Sequence, residues 1–419
     1  MRLLVIALVG GLVVASELAA QATPIVIRGG TVLPVSGPPI PNGIVLMQGG
    51  KIKAVGASVP IPSGAQVVDA TGKFVIPGVI DAASHIGIGD GDLNEASDPM
   101  TPGLRAIDSY NPFGNFGSGK PGRLVNTEML SGGVTTIYIA PADGTLLGGQ
   151  GAVVKTAGAT LDAIVVREPA AMDLTLGTPP KSAAREKQRD PYTRMAEVAM
   201  LRQLFIKAQE YQRSKKANAA LPRDLGMEAL GRLLAREFPA RIQANAATDI
   251  RSALSLGQEF GFDMVIDGAA GAWDLRNDLL ARRIPVVLGQ ISHPYVSNEE
   301  IPDTQDYPPV DEHLAGKLTG LGIRTAIATF SRAFVWLAPA GSGKWLLIDA
   351  GIAAGFGMSD ADVLKAVTLV PAQILGVDQR VGSLEVGKDA DVVILDGPPL
   401  SVKTWVTRVY LGGELVYQK

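Results

Sequence analysis

Residues 72–85 read Gly-Lys-Phe-Val-Ile-Pro-Gly-Val-Ile-Asp-Ala-Ala-Ser-His, and they separate two regions with different sequence patterns. Before Pro77-Gly78, short β-branched runs such as residues 51–55 alternate with Gly/Pro turns, which is typical of a small antiparallel sheet. After Pro77-Gly78, short apolar runs alternate with segments of helical spacing, which indicates parallel βα units. The stretch therefore predicts that the chain passes here from a small sheet into a larger α/β domain.

The end of the chain has the same pattern as its beginning, with short β-branched runs separated by turns. Residues 390–395 and 406–411 are β-branched runs, and Gly412-Gly413 separates the second run from residues 414–417. Strand-rich segments with the same pattern at both ends of the chain can pair in one sheet. We therefore predict a composite β-sandwich domain built from residues 23–76 and 377–419.

The middle of the chain, residues 77–376, predicts an α/β fold of the TIM-type (β/α)8 barrel class. A long series of βα units fits a closed barrel better than an open sheet. Five strands are predicted, at residues 134–139, 241–244, 264–267, 285–288 and 325–328.

Two helices within this region carry clear signals of their own. A long amphipathic helix is indicated by apolar residues at helical spacing, namely Val198, Leu201, Phe205, Ala208 and Tyr211. Ser359, three residues before Asp362, is typical of a capping box and predicts the start of another helix.

Composition bounds the class of protein. An apolar content of 47% is ample for a buried core, so we expect a folded globular chain. The net charge of −3 gives no electrostatic reason to expect a nucleic-acid partner. The chain has no cysteine, which excludes thiolate ligands and disulfides.

The N-terminus predicts a secretory signal peptide over residues 1–22. Arg2 precedes an apolar run, and Ala20-Gln21-Ala22 matches a small-residue cleavage pattern. The apolar run, residues 3–15, is shorter than the roughly 20 residues that span a bilayer. We therefore expect a secreted or periplasmic protein that has no membrane anchor after cleavage.

These segments together resemble the amidohydrolase superfamily, and in particular its imidazolonepropionase-like branch. Residues 72–81 are similar to the entry into that family's barrel, and residues 371–376 with 381–393 resemble its return to the small sheet domain. The branch is indicated by shorter motifs between them: residues 132–136, 148–151, 193–195 and 249–250. The resemblance covers nearly all of the chain after residue 22.

The resemblance implies one or two divalent metals at the mouth of the barrel. In the family these are bound by a His-x-His pair, two later histidines and an aspartate, and some members add a carboxylated lysine. In this chain the pair corresponds to Ala83 and His85, and the third histidine position corresponds to Gln243. The following strand ends in Asp267 without a histidine, and Thr329 or Phe330 stands at the aspartate position. The metal site is therefore expected to be degenerate, with His85 as its remnant ligand.

The chain has only three histidines, and the other two are poor replacements for the missing ligands. His293 lies in a loop after a barrel strand and could stand at the mouth, whereas His313 is expected to open a surface helix. A site made of His85, His293 and Asp267 would still be possible, because imidazoles and carboxylates bind zinc.

The candidate pocket contains residues at or near the degenerate metal site. Lys155 could point into the barrel mouth, although its match to the carboxylated lysine is uncertain, and Glu95 lies on the long loop after His85. No catalytic residue is assigned, and Asp267 is the candidate general base. The predicted pocket consists of Ala83, His85, Glu95, Lys155, Gln243, Asn245, Asp267 and Phe330.

The sequence leaves two functional hypotheses open, beside a structural alternative in which the barrel is only a secreted scaffold whose mouth is plugged by Phe330 and its neighbours. The first is an exported, catalytically impaired protein without a metal cofactor, which binds a small-molecule ligand or partners an active paralogue. The second is a working hydrolase of cyclic amides or dipeptide-like C–N bonds, which uses a rearranged single-metal site with zinc or another divalent metal, or a general base such as Asp267. Metal-bound water supplies hydroxide at neutral pH, so the loss of ligands favours the first hypothesis.

Overall fold

The computed structural model describes residues 23–95, 97–112, 127–289, 291, 311–330 and 343–419. The predicted signal peptide and His293 lie outside these ranges. The described strands, in chain order, are β1 (Ile25–Val32), β2 (Ile40–Gln48), β3 (Lys51–Gly56), β4 (Gln66–Asp69), β5 (Phe74–Pro77), β6 (Val79–Ser84), β7 (Val134–Ile139), β8 (Leu147–Lys155), β9 (Val165–Thr175), β10 (Ala240–Ala244), β11 (Met264–Gly268), β12 (Val286–Leu288), β13 (Thr325–Ile327), β14 (Val392–Leu395), β15 (Val406–Leu411) and β16 (Glu414–Gln418).

The helices of the same ranges are mostly short and connect the barrel strands. They are α1 (Thr127–Ser131), α2 (Leu161–Ile164), α3 (Thr178–Glu186), α4 (Arg194–Ala217), α5 (Leu225–Leu234), α6 (Ala247–Phe260), α7 (Arg276–Ala281), α8 (Leu314–Gly320), α9 (Leu346–Gly355), α10 (Asp360–Ala366) and α11 (Leu369–Ile374). None of the described helices is both long and apolar enough to cross a membrane.

Strands from both ends of the chain form one eight-stranded sheet. Its order is β16-β15-β14-β5-β1-β2-β3, and β4 pairs with β1. The antiparallel pairing of β14 with β5 sets Val393 opposite Ile76 and so joins the two ends. Side chains alternate as expected of strands with one buried face: on β2, Gly43, Val45 and Met47 are buried.

The chain leaves this sheet at Gly78, between β5 and β6. A side chain there would collide with the barrel, because a Cβ atom on Gly78 would lie 2.0 Å from the Thr135 hydroxyl. Glycine is therefore required at the junction that the opening stretch of sequence predicts.

The second sheet is a nearly closed eight-strand barrel, in the order β13-β12-β11-β10-β9-β8-β7-β6. All residues of β6, β7 and β8 are buried, as expected of strands covered on both faces. Between β13 and β6, Asp81 closes the seam by accepting hydrogen bonds from the Thr329 N–H at 3.0 Å and the Thr329 hydroxyl at 2.5 Å. The predicted α/β class, a barrel with an additional β-sheet domain, is confirmed.

One strand of the barrel departs from the ideal parallel arrangement. β8 runs antiparallel to both of its neighbours, β7 and β9. The carboxyl ends of β6, β7 and β9–β13 define the mouth of the barrel, so the start of β8 lies at the mouth and its end, Lys155, lies at the base. This reversal decides the position of Lys155.

The strand and helix predictions hold closely. The strand predicted over residues 134–139 coincides with β7, and the other four predicted strands differ from β10–β13 by one residue at one end. The long helix is α4, capped by the Thr193 hydroxyl, which accepts from the Ala196 N–H at 3.1 Å. Ser359 caps α10 as predicted, because its hydroxyl accepts from the Asp362 N–H.

Candidate functional site

A small cavity lies at the mouth end of the barrel interior, where the family's metal would be held. Its volume is about 30 Å³, and five of the eight predicted pocket residues line it: Ala83, His85, Gln243, Asp267 and Phe330. A space of this size accommodates about one water molecule. The side chains around it are therefore packed against one another rather than arranged around an open site.

An internal ion pair forms the floor of this cavity. Arg241 donates from Nε to Asp267 Oδ2 and from Nη2 to Asp267 Oδ1, both at 2.8 Å, and from Nη1 to the Ala82 carbonyl across the barrel. The Arg241 side chain is 1% exposed. Bidentate charge-assisted hydrogen bonds of this kind are strong and fix the geometry of both partners. Asp267 therefore has both carboxylate oxygens engaged.

The same guanidinium is linked to a second carboxylate through Tyr138. The Arg241 guanidinium carbon lies 4.3 Å from the centre of the Tyr138 ring, and the Tyr138 hydroxyl donates to Asp173 Oδ2 at 2.6 Å. Burial raises the pKa of Asp173 to about 7, against the lowering effect of Arg241 and of the Tyr138 hydrogen bond. Burial opposes the charge of Arg241, but Asp267 above all raises the pKa of that guanidinium over its ordinary value. Arg241 is thus the fixed cation of this region.

The residues present at the family's ligand positions do not fit a divalent metal. Ala83 offers no donor atom, and the Gln243 amide donates to Asp143 Oδ2 at 3.2 Å. His85 Nδ1 donates to the Ala140 carbonyl at 2.8 Å. Within the described parts of the chain, no three His, Cys, Asp or Glu side chains are grouped so as to hold a metal ion. A catalytic zinc site needs three protein ligands and an open position for water.

Phe330 and the residue before it occupy the end of the barrel seam. The Phe330 N–H donates to the Ala83 carbonyl at 2.9 Å, and Thr329 is held by Asp81. Phe330 has a φ of 49°, in the left-handed region that a bulky residue seldom adopts. The aspartate position of the family is therefore filled by side chains that seal the barrel.

Three predicted pocket residues lie outside the cavity. Lys155 is a correction: β8 is antiparallel, so Lys155 lies at the base of the barrel, where its ammonium contacts Asp391 and Asp389. Glu95 is exposed, and its carboxylate accepts from the Ser97 N–H at 2.8 Å within its own loop. Asn245 packs instead over Gly268, where a Cβ atom would lie 2.4 Å from the Asn245 Oδ1.

Sequence reasoning missed the central residue of the cavity, Arg241, and its neighbours Tyr138 and Asp173. A signal for Arg241 was present, because residues 241 and 243 of one strand point to the same face. A charged side chain in the middle of a barrel strand, on the face of a ligand position, would have predicted an internal ion pair. Tyr138 had no such signal: its contact with Asp173 passes over Gly151 of β8, where a Cβ atom would lie 2.1 Å from the Tyr138 hydroxyl.

The model of the amidohydrolase family matches residues 303–416. An amidohydrolase from Thermotoga maritima MSB8 is 33% identical, with a TM-score of 0.84 over 94% of this chain and 100% of that one. An adenosine deaminase from Xanthomonas campestris with bound zinc has a TM-score of 0.52 at 16% identity, over 94% of this chain and 92% of that one, so it shares the fold alone.

A longer relative is the amidohydrolase tasK of Hapsidospora irregularis. It is 27% identical over 409 residues, which cover 88% of this chain and 39% of that protein. The chain therefore spans about two fifths of the length of this curated relative.

Proposed function

The chain belongs to the amidohydrolase family, and we propose that it is a metal-free, catalytically impaired member that acts by binding. The observation that carries the proposal is the Arg241–Asp267 ion pair, which sets a guanidinium at the floor of the cavity. A second positive charge, brought by a metal ion, would meet a resident cation there. No metal cofactor is therefore proposed.

The loss of ligands has a direct chemical consequence. In the family's chemistry a bound metal lowers the pKa of water from 15.7 to about 7 and polarises the scissile carbonyl. Without a metal, general acid/base assistance contributes about 10²–10⁴-fold, which is little against an amide bond. Hydrolysis at this cavity would have to proceed without its main source of hydroxide.

We propose an active amidohydrolase paralogue as the binding partner. A cavity of about 30 Å³ is far below the roughly 300–1,000 Å³ of pockets that enclose small molecules. This contrast favours a partner protein over a small ligand held on the described floor. Export through the predicted signal peptide would require this partner to lie outside the cytoplasm as well.

Metal analysis tests the first half of the proposal. The purified full chain is incubated with zinc, iron or manganese, passed through a desalting column and analysed by mass spectrometry. We expect clearly substoichiometric metal, and a stoichiometric, tightly bound ion would overturn the proposal. A variant carrying Ala83→His, Arg241→Met and Gln243→His serves as the matched comparison, since it restores two imidazoles and removes the cation. If folded, it should retain more zinc than the natural chain.

A second candidate function is hydrolysis of cyclic amides or dipeptide-like C–N bonds. One observation favours it: the pKa of Asp173, raised to about 7 by burial, suits proton transfer near neutral pH. Asp267 is less suited as a base, because Arg241 occupies both of its oxygens. A substrate panel assayed with and without added metal tests this candidate. Turnover that disappears in Asp173→Asn but persists in Asp267→Asn would favour it over the binding proposal.

A further inference from the structure

A groove of about 630 Å³ lies at the base of the barrel, at the end opposite to the candidate site. Its lining contains five arginines and a single carboxylate: Arg167, Arg236, Arg282, Arg283, Arg324 and Asp263. The whole chain carries a net charge of −3, so this excess of positive charge is local. A polar groove with one sign of charge concentrates counter-ions of the other sign.

Most of these arginines come from the loops that lead from a helix into the next barrel strand. Arg236 precedes β10, Arg282-Arg283 precede β12, and Arg324 immediately precedes β13. The parallel strands β10–β13 start at the same end of the barrel, so the loops that precede them meet around one surface. The sequence separation of these arginines hides a cluster that the barrel assembles.

Two of the arginines stand at backbone positions that favour glycine. Arg236 and Arg283 have φ values of 61° and 54°, in the left-handed region. A residue with a Cβ atom costs about 1 kcal/mol or more in this conformation. Local backbone preference therefore does not account for arginine at either position.

The positive charges of the groove are not neutralised by ion pairs. Among the described residues, none of the five arginines contacts a carboxylate within ion-pair distance. Their hydrogen bonds go to backbone carbonyls instead: Arg236 Nε donates to Gly261 O at 2.6 Å, and Arg282 Nη1 to Leu254 O at 2.9 Å. On other surfaces, exposed Arg202 and Arg232 each pair with a glutamate at 2.7 Å.

Stabilisation of helix C-termini explains part of this arrangement, because cations there interact favourably with the helix dipole. The Leu254 carbonyl that accepts from Arg282 lies in the middle of α6, so this effect explains only Arg236, which donates to the carbonyl of the C-cap residue Gly261. It does not explain Arg283, whose guanidinium donates no hydrogen bond to the described part of the chain, or Arg324, whose hydrogen bond to the Arg283 carbonyl is 3.5 Å long. Two exposed guanidinium groups therefore remain available to a ligand.

We propose that this groove is an anion site that binds the phosphate groups of its ligand. A guanidinium presents a planar fork of donors that matches phosphate oxygens, and five of them line one groove. The phosphate can belong to a free phosphorylated small molecule or to a lipid headgroup, since both present the same chemistry. The site is independent of the cavity at the mouth of the barrel.

The test measures binding of inorganic pyrophosphate by calorimetry and of vesicles by flotation, using the full chain. Vesicles of phosphatidylglycerol are compared with vesicles of phosphatidylcholine. The test variant is Arg283→Gln/Arg324→Gln, and the control is Arg213→Gln/Arg251→Gln, which removes two exposed arginines elsewhere. All four side chains are exposed, so both variants should keep the fold, as circular dichroism can verify.

We expect the test variant to lose about tenfold or more in affinity, and the control variant to bind as the natural chain does. Binding of pyrophosphate would identify a free phosphorylated molecule, and binding of phosphatidylglycerol vesicles alone would identify a lipid source. The proposal is overturned if neither probe binds at about 10 mM total phosphate, or if both variants bind equally well. Equal binding by both variants would show that Arg283 and Arg324 take no part in anion binding.

Discussion

Two buried ion clusters lie at opposite ends of the barrel, and they differ in construction. At the mouth, Arg241 pairs with Asp267, and both residues belong to neighbouring barrel strands. At the base, Lys155 contacts Asp391 and Asp389, which belong to the segment that leads into β14 of the terminal sheet. The mouth cluster is internal to the barrel, whereas the base cluster joins the barrel to the other sheet.

The two clusters also differ in the number of cations around their carboxyl groups and in the direction in which the pKa values of those groups are shifted. At the base, Lys51 lies 2.7 Å and Arg380 3.0 Å from Asp389, so several cations share the two carboxylates. Burial alone would raise the pKa of Asp389, but Lys155, Lys51 and Arg380 together lower it below its ordinary value. At the mouth, the neighbouring Asp173 has its pKa raised to about 7 by burial. The base is rich in cations, and the mouth has one cation among several carboxylates.

The largest effect is expected when the cation of the mouth is removed. Arg241→Met leaves Asp267 buried and unpaired, so the free energy of unfolding should fall by about 3–5 kcal/mol. Denaturant titration of the natural chain and the variant measures this difference, provided that the slope with denaturant is unchanged.

A double variant separates an unpaired charge from a lost contact. Arg241→Met/Asp267→Leu removes both charges together, and replacing a buried pair by apolar side chains is often close to neutral. We therefore expect the double variant to recover most of the lost stability. A double variant as unstable as Arg241→Met would show that the packing of Arg241 on Tyr138, rather than the unpaired carboxylate, dominates.

A smaller loss is expected at the base. Lys155→Met should lower the free energy of unfolding by about 3 kcal/mol, at the low end of the range for broken buried pairs, because Lys51 and Arg380 still face Asp389. The same denaturant titration provides the measurement. A loss larger than that of Arg241→Met would reverse the order of the two clusters.

The comparison also separates what could be predicted from sequence from what could not. The architecture was predictable because the sequence patterns on either side of Gly78 extend over short stretches of chain. The strand over residues 134–139 and the cap at Ser359 likewise depend on neighbouring residues alone. Ala83, Gln243 and Phe330 gather around one cavity because family ligand positions lie at strand ends that a barrel brings together. The resemblance of single positions to the family's pattern was sufficient for these residues.

Lys155 shows where that reasoning stops. The direction of its strand in the sheet could not be predicted, because strand direction is set by pairing with β7 and β9 rather than by local sequence. The partners of Lys155 stand more than 230 residues later in the chain. Arg241 is a different case, because its own signal is local: it stands two positions before Gln243 on the same face of one strand, and only its pairing with Asp267 depends on the neighbouring strand.

The pH dependence of stability should differ in sign between the two ends. The raised pKa of Asp173 contributes stability that is present below its unfolded value of 3.8 and is lost as the pH rises through about 7. The lowered pKa of Asp389 contributes stability that is present above 3.8 and is lost as the pH falls through its folded value. Asp173 at the mouth therefore contributes most to stability at acid pH, whereas Asp389 at the base contributes most at neutral pH.

Asp173→Asn tests this difference, because asparagine can still accept a hydrogen bond from Tyr138 but does not titrate. As the pH rises from 4 to 7, the free energy of unfolding should fall in both proteins. The fall should be smaller in Asp173→Asn than in the natural chain, by on the order of 2 kcal/mol. Asp81 and Glu197, whose pKa values are raised to about 6 and about 8 by burial, have the same sign, so some slope should persist. Parallel curves for the variant and the natural chain would contradict the assignment to Asp173.

The smallest effect is expected at the solvent edge of the base cluster. Lys51 lies 2.7 Å from Asp389, but its side chain is 43% exposed, so Lys51→Met should cost less than about 1 kcal/mol. Salt screens exposed pairs and spares buried ones, so this small cost should shrink further at about 1 M salt, while the cost of Lys155→Met should change little. Unfolding titrations of both variants at low and high salt measure the difference. Equal salt sensitivity would mean that the base cluster is open to solvent throughout, and the contrast between a buried centre and an exposed edge would then be lost.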